Sequence, residues 1–123
     1  MHRTLTVAIA LGMSLGWAPM TWAHAVLVRS SPPARATLAR PPERVDLWFN
    51  ERLEPAYSRA SVWDAAGRQV ETSDAAVDAA EPTRLTVSLP VLAPGTYTVK
   101  FRVLSVDGHV VESQFAFTVR EAR

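Results

Sequence analysis

The chain has 123 residues and a formal net charge of +1, and it contains no cysteine. Without cysteine it has neither disulfide bonds nor thiolate metal sites. The near balance of charge argues against binding to nucleic acid or to an anionic membrane, because both require a basic patch.

The first 23 residues have the three parts of a secretory signal peptide. Arg3 supplies a basic start, an apolar run follows over 5–18, and the segment ends at Ala23. The apolar run is shorter than the roughly 20 residues of a membrane-spanning helix. We therefore expect the segment to be removed and not to remain as an anchor.

Cleavage after Ala23 would give a signal peptide of residues 1–23 and a single domain of residues 24–123. The alternative is cleavage after Ala25, because Ala23 and Ala25 also satisfy the rule of small residues around the cut. The expected mature chain has 100 residues, 12 of them basic and 12 acidic. That length is enough for one domain with its own core and too short for two.

Short stretches of alternating apolar and polar residues, separated by Pro, Gly, Asp or Ser, are typical of an all-β domain. In chain order we predict strands over 25–29, 45–49, 60–64, 68–72, 85–89, 96–106 and 109–119. About seven strands favour a Greek-key, immunoglobulin-like sandwich or barrel of the cupredoxin-like kind. Residues 30–42, with four prolines, and residues 73–82 are predicted to be loops.

Three histidines occur in the chain, and two of them, His24 and His109, lie beyond the predicted signal. Cleavage after Ala23 would give His24 a free α-amine beside its imidazole, which together can chelate one metal ion. His109 can add a third nitrogen and Asp107 an oxygen. Such a set favours Cu(II), while zinc prefers a tetrahedral site.

Each of these residues also has an interpretation without metal. Asp107-Gly108 between two apolar strands is a strong signal for a type I′ hairpin turn. His109 shares the phase of the inward-facing residues that follow it, and His24 is also simply the residue next to a signal peptide. Glu51 ends a predicted strand; we treat it as a weak candidate ligand, with a solvated charge as the favoured alternative.

The chain resembles the CopC family of periplasmic copper-resistance proteins across nearly the whole mature sequence. The most specific stretch is FRVLSVDGH at 101–109, followed by FAFTV at 115–119. Further matching stretches are HAVL at 24–27, SSPP at 30–33, VDLWFNE at 45–51 and GTYTV at 95–99.

The resemblance implies a seven-stranded Greek-key domain in the periplasm that binds one Cu(II) ion for copper resistance or homeostasis. It implies that His24 supplies amine and imidazole, His109 an imidazole and Asp107 a carboxylate; Glu51 matches an acidic position near the site. Some members also have a methionine-rich Cu(I) site. We expect none here, because no methionine follows Met20.

The resemblance also suggests that copper passes to an inner-membrane copper permease, and we expect a monomer without a membrane span. We predict a binding protein and not an enzyme. Two alternatives stay open: a histidine-brace copper enzyme of the oxidase type, and a metal-free immunoglobulin-like module for adhesion or assembly.

Overall fold

A computed structural model describes residues 26–121 of the chain, and the regular secondary structure of these residues is almost entirely β-strand. A single 3-10 turn, Pro55–Tyr57, interrupts the strands. The strands are β1 (Leu27–Ser31), β2 (Thr37–Leu38), β3 (Arg44–Phe49), β4 (Arg59–Trp63), β5 (Ala76–Val77), β6 (Arg84–Ser88), β7 (Gly95–Leu104) and β8 (Val110–Val119).

The strands form two four-stranded sheets, in the orders β1-β3-β6-β5 and β2-β8-β7-β4. All neighbours pair antiparallel except β2 and β8, which are parallel. The prediction of an all-β sandwich is confirmed. Within residues 26–121, no helix has the length and apolar character needed to cross a membrane.

The core lies between the two sheets and follows the predicted alternation. The inward side chains of β7, from Tyr97 to Val103, are each no more than 6% exposed. The rings of Phe49 on β3 and Phe101 on β7 meet edge to face with centroids 5.5 Å apart. Each fully buried side chain of this kind contributes about 1.5–3 kcal/mol. This packing takes the place of disulfide bonds.

The described residues contain eight strands, against about seven predicted, and the differences lie at the sheet edges. The predicted strand over 68–72 is replaced by an isolated bridge between Gln69 and Trp63 of β4. Conversely, β2 and β5 lie in segments predicted as loops. Each has two residues and is held by backbone bonds to a neighbour, as where Thr118 N–H donates to Ala36 O at 2.8 Å. Such short pairings depend on tertiary neighbours and leave no periodic pattern.

The outer face of the first sheet carries a buried ion pair. Asp46 of β3 is 4% exposed, and it accepts hydrogen bonds from Arg84 Nη2 at 2.7 Å and Arg44 Nε at 2.9 Å. Beside it, the guanidinium carbon of Arg29 lies 3.8 Å from the ring centroid of Trp48. Trp48 therefore packs on the surface of the sheet, as a cation–π partner.

One end of the sandwich gathers three segments that are far apart in sequence. They are the start of β1, the segment 50–54 that follows β3, and the hairpin loop between β7 and β8. Leu53 forms an isolated bridge with Ser105, and Val106 N–H donates to Arg52 O at 2.9 Å. The candidate residues Glu51, Asp107 and His109 all lie in segments at this end.

Candidate metal centre

The hairpin between β7 and β8 sets the geometry around Asp107 and His109. Ser105 N–H donates to His109 O, and Gly108 N–H donates to Ser105 O, both at 2.9 Å. These bonds enclose a three-residue loop, 106–108, in which Gly108 has φ +92°. A left-handed glycine at the third position suits a type I turn followed by a bulge.

The predicted type I′ turn is therefore wrong. A type I′ turn requires positive φ at both central residues, whereas among the described residues Arg35 and Ser73 are the non-glycine positions with positive φ. Asp107 is not one of them. Because the loop has three residues, Asp107 keeps a negative φ, and Gly108 is the loop residue with a positive φ.

The loop brings two of the predicted ligands together. Nδ1 of His109 lies 3.1 Å from Oδ1 of Asp107, and the two side chains keep 28% and 34% of their surface exposed. A carboxylate and an imidazole thus lie side by side on partly exposed side chains, with the Nδ1 atom itself buried. Both are donor types that bind divalent first-row metals.

A buried serine beneath the loop holds both residues in place. Ser105 is fully buried, and its hydroxyl donates to Oδ1 of Asp107. Oγ of Ser105 also accepts the backbone N–H of His109 at 3.3 Å. Sequence reasoning missed this residue, although a polar side chain at the next inward-facing position after Val103, two residues further on, indicates a hydrogen-bond partner.

Hydrogen bonds keep Asp107 ionised. The Ser105 hydroxyl first, and then the imidazole and backbone of His109, hold the pKa of the Asp107 carboxyl below its usual value, against the smaller opposing effect of desolvation. The Asp107 carboxylate is therefore negatively charged at neutral pH, which favours cation binding.

The other two predicted ligands, Glu51 and His24, are not brought together with Asp107 and His109 in the described residues. Glu51 is half-buried in the segment after β3. Among residues 26–121, no three His, Cys, Asp or Glu side chains form a group that holds a metal ion, so Glu51 does not complete a site with Asp107 and His109. His24 and both possible cleavage positions lie outside the described residues. Val26, two positions after His24, is hydrogen-bonded to Asn50 at this end of the sandwich.

Comparison with known proteins identifies relatives of the chain. A profile described as the CopC domain matches residues 27–120. Protein YobA of Escherichia coli K12 is 34% identical over 96% of both chains. Copper resistance protein C of Pseudomonas syringae pv. tomato is 32% identical over 98% of both chains.

A solved structure shares the same fold. The crystal structure of CopC from Methylosinus trichosporium OB3b superposes with a TM-score of 0.70 at 44% identity, covering 79% of this chain and 94% of that one. The resemblance inferred from sequence motifs is thus confirmed by the profile, by curated relatives and by structure. The chain belongs to the CopC family.

Proposed function

We propose that the mature protein is a periplasmic copper-binding protein of copper resistance or homeostasis, which holds one Cu(II) ion as its cargo. The ligands are the α-amine and imidazole of His24, the imidazole of His109 and the carboxylate of Asp107. The observation that carries the proposal is the adjacency of His109 Nδ1 and Asp107 Oδ1, 3.1 Å apart, in a chain of a copper-resistance family.

The donor set argues for Cu(II) over other ions. Three nitrogens and one oxygen suit a tetragonal centre, and Cu(II) stands at the top of the divalent affinity order. The described residues contribute one nitrogen donor residue and one carboxylate. The two further nitrogens of the proposed set are the α-amine and imidazole of His24, so the chain terminus must lie near the site. Val26, two residues after His24, is hydrogen-bonded to Asn50 at this end of the sandwich.

The composition of residues 24–123 supports a single site. This part of the sequence has no methionine and no cysteine, so it offers no soft ligands for Cu(I). We propose that the protein carries copper in one oxidation state, acts as a monomer, and delivers the ion to an inner-membrane copper permease. Nucleic acid has no role in this scheme.

Binding is proposed in preference to catalysis. A histidine-brace enzyme that activates oxygen needs an open coordination position, and in the proposed site the Asp107 carboxylate beside His109 would fill it. We expect the copper-loaded protein with a reductant to produce no more hydrogen peroxide than an equal concentration of free copper. Production well above that level would favour the enzyme.

The proposal is tested by copper titration of the exported protein, after intact mass has fixed its first residue. We expect one equivalent of Cu(II) to bind. His24→Ala and His109→Ala should each weaken binding by more than the roughly 10- to 100-fold that outer-shell changes cost, and Asp107→Ala should weaken it too. Glu51→Gln is the matched carboxylate control, expected to stay within about tenfold of the wild type.

Two outcomes contradict the proposal. Undiminished affinity in either histidine variant would refute the ligand set. Absence of any Cu(II)-dependent rise in melting temperature would favour a metal-free adhesion or assembly module, because a ligand that binds only the folded state must stabilise it.

A further inference from the structure

The side chain of Asn50 ties the start of β1 to the end of β3. Val26 N–H donates to Oδ1 of Asn50 at 2.6 Å, and Asn50 N–H donates to Val26 O at 3.1 Å. The two bonds close a ring that fixes both residues relative to each other. One of the two depends on the asparagine amide oxygen and is lost if that oxygen is removed.

The same segment is bonded on its other side to the hairpin that carries Asp107 and His109. Val106 N–H donates to Arg52 O at 2.9 Å, and Glu54 N–H donates to Leu104 O at 2.8 Å. Segment 50–54 therefore lies between the start of β1 and the β7–β8 hairpin and contacts both. It is the physical link between two parts of the chain that are remote in sequence.

The start of β1 needs this link because its own sheet pairing is weak there. β1 is an edge strand, and its register with β3 shifts between Leu27 and Arg29. Chain ends fray unless something ties them down. His24 lies two residues before Val26, a span of at most about 7 Å, so an anchor at Val26 confines where His24 can reach.

We propose that Asn50 is a positioning residue of the copper site: its amide oxygen holds Val26 so that the His24 chelate lies against Asp107 and His109. This inference rests on the proposed Cu(II) site. Asn50 does not bind the ion. It limits the conformations of the chain terminus before copper arrives, and this preorganisation raises affinity.

The test compares two Asn50 variants with a control at the opposite end of the sandwich. Asn50→Ala removes the acceptor, and Asn50→Asp keeps an oxygen at the same position. Asp74→Ala is the matched control, since Asp74 Oδ1 accepts the backbone N–H of Ser88 at 2.8 Å. Ser88 pairs with Arg44 at the far end of β3.

Three quantities are measured on each mature variant: Cu(II) affinity by competition with a chelator, melting temperature without copper, and hydrogen exchange of the Val26 amide without copper. Asn50→Ala should speed exchange of Val26 and weaken Cu(II) binding about threefold to tenfold, the equivalent of one hydrogen bond. Asn50→Asp should restore both. Asn50→Ala and Asp74→Ala should lower the melting temperature by similar amounts, because each loses one hydrogen bond. Copper affinity should stay unchanged in Asp74→Ala.

Failure of this inference is distinguishable from failure of the proposed function. Wild-type affinity in Asn50→Ala, with lost affinity in His24→Ala, overturns the positioning role alone. An equal loss of affinity in Asp74→Ala overturns it too, because the effect would then be general destabilisation. Wild-type affinity in both Asn50→Ala and His24→Ala overturns the copper site and this role with it.

Discussion

Ser105 shows how one side chain organises the candidate site at the residue scale. Its hydroxyl is the only part that distinguishes it from an alanine, and that hydroxyl contacts both Asp107 and the backbone of His109. The residues that contact a metal ligand orient it and tune its affinity. Ser105 is therefore expected to matter for copper although it is buried away from the ion.

Ser105→Ala should weaken Cu(II) binding about 10- to 100-fold, because Asp107 loses its hydrogen-bond donor. The control is Ser58→Ala. Ser58 is also buried, at 4% exposed, and its hydroxyl accepts Leu104 N–H at 3.3 Å, but it does not contact the ligand loop. Competition titration of both variants checks the prediction, and equal affinity losses would contradict it.

Asp46 provides a pH-dependent contribution to stability that is separate from copper. Burial raises the pKa of the Asp46 carboxyl, but hydrogen bonds from Arg84 and Thr86 and the charges of Arg84 and Arg44 outweigh it, so the net pKa is lowered. A carboxyl whose pKa is lowered in the folded state stabilises the protein at any pH above its pKa in the unfolded state, about 3.9. That stabilisation is lost as the pH falls through the pKa of the folded state.

We therefore expect the free energy of unfolding of the copper-free protein to fall more steeply between about pH 5 and pH 2 than that of Asp46→Asn. At pH 7 the variant should be less stable by about 1.5–3 kcal/mol, the range for hydrogen bonds to charged groups. Urea unfolding at several pH values measures both. Parallel stability curves for the two proteins would rule out this role.

At the scale of elements, the sequence pattern predicted long strands well and edge pairings poorly. β7 was expected over 96–106 and runs from Gly95 to Leu104, because ten residues of strict alternation admit one interpretation. β2 and β5 have two residues each and arise from where a loop passes a neighbouring strand. Pairing of that kind is decided by packing and leaves no local pattern.

In the candidate site, too, the locally determined residues were predictable from the sequence and those that depend on tertiary packing were not. Asp107 and His109 are two positions apart, so a hairpin brings them together through local geometry, and their type and spacing were readable from the sequence. The contributions of Ser105 and Asn50 depend on which backbone groups their side chains meet. Those contacts follow from the turn length and from the packing of segment 50–54, which alternation does not specify.

Gly108 tests whether the loop conformation itself is needed for copper. Its φ is +92°, and a Cβ added there would meet nothing within 4 Å, so Gly108→Ala costs backbone strain alone, about 1–2 kcal/mol. Gly67, in the turn that follows β4, has φ +78° and the same open surroundings. Gly67→Ala is therefore a matched control.

Both glycine variants should lower the melting temperature by similar amounts. Only Gly108→Ala should also weaken Cu(II) binding, because the strained loop relaxes and shifts Asp107 relative to His109. Thermal unfolding without copper and competition titration with copper separate the two effects. If both variants bind copper as the wild type does, the loop conformation is not part of the site.

At the scale of the whole molecule, the proposed site would link folding to copper binding through the chain terminus. The sandwich has no disulfides, and its stability comes from the core between the sheets. A ligand that binds only the folded state adds RT ln(1 + [L]/Kd) to that stability, about 2.7 kcal/mol at a hundredfold excess over Kd. For a domain of this size each kcal/mol corresponds to a rise of about 4–8 °C in melting temperature.

This linkage makes the cleavage position measurable by heat. Two proteins are compared, one starting at His24 and one starting at Val26, the product of the alternative cleavage after Ala25. Their described residues are identical, so their copper-free melting temperatures should agree closely. Saturating Cu(II) should raise the melting temperature of the first by about 10 °C or more and that of the second by much less, because it retains Asp107 and His109 but lacks the chelating imidazole. His24→Ala, which keeps a free amine at position 24, should fall between them. An equal rise in the proteins starting at His24 and Val26 would place the copper site away from the chain terminus.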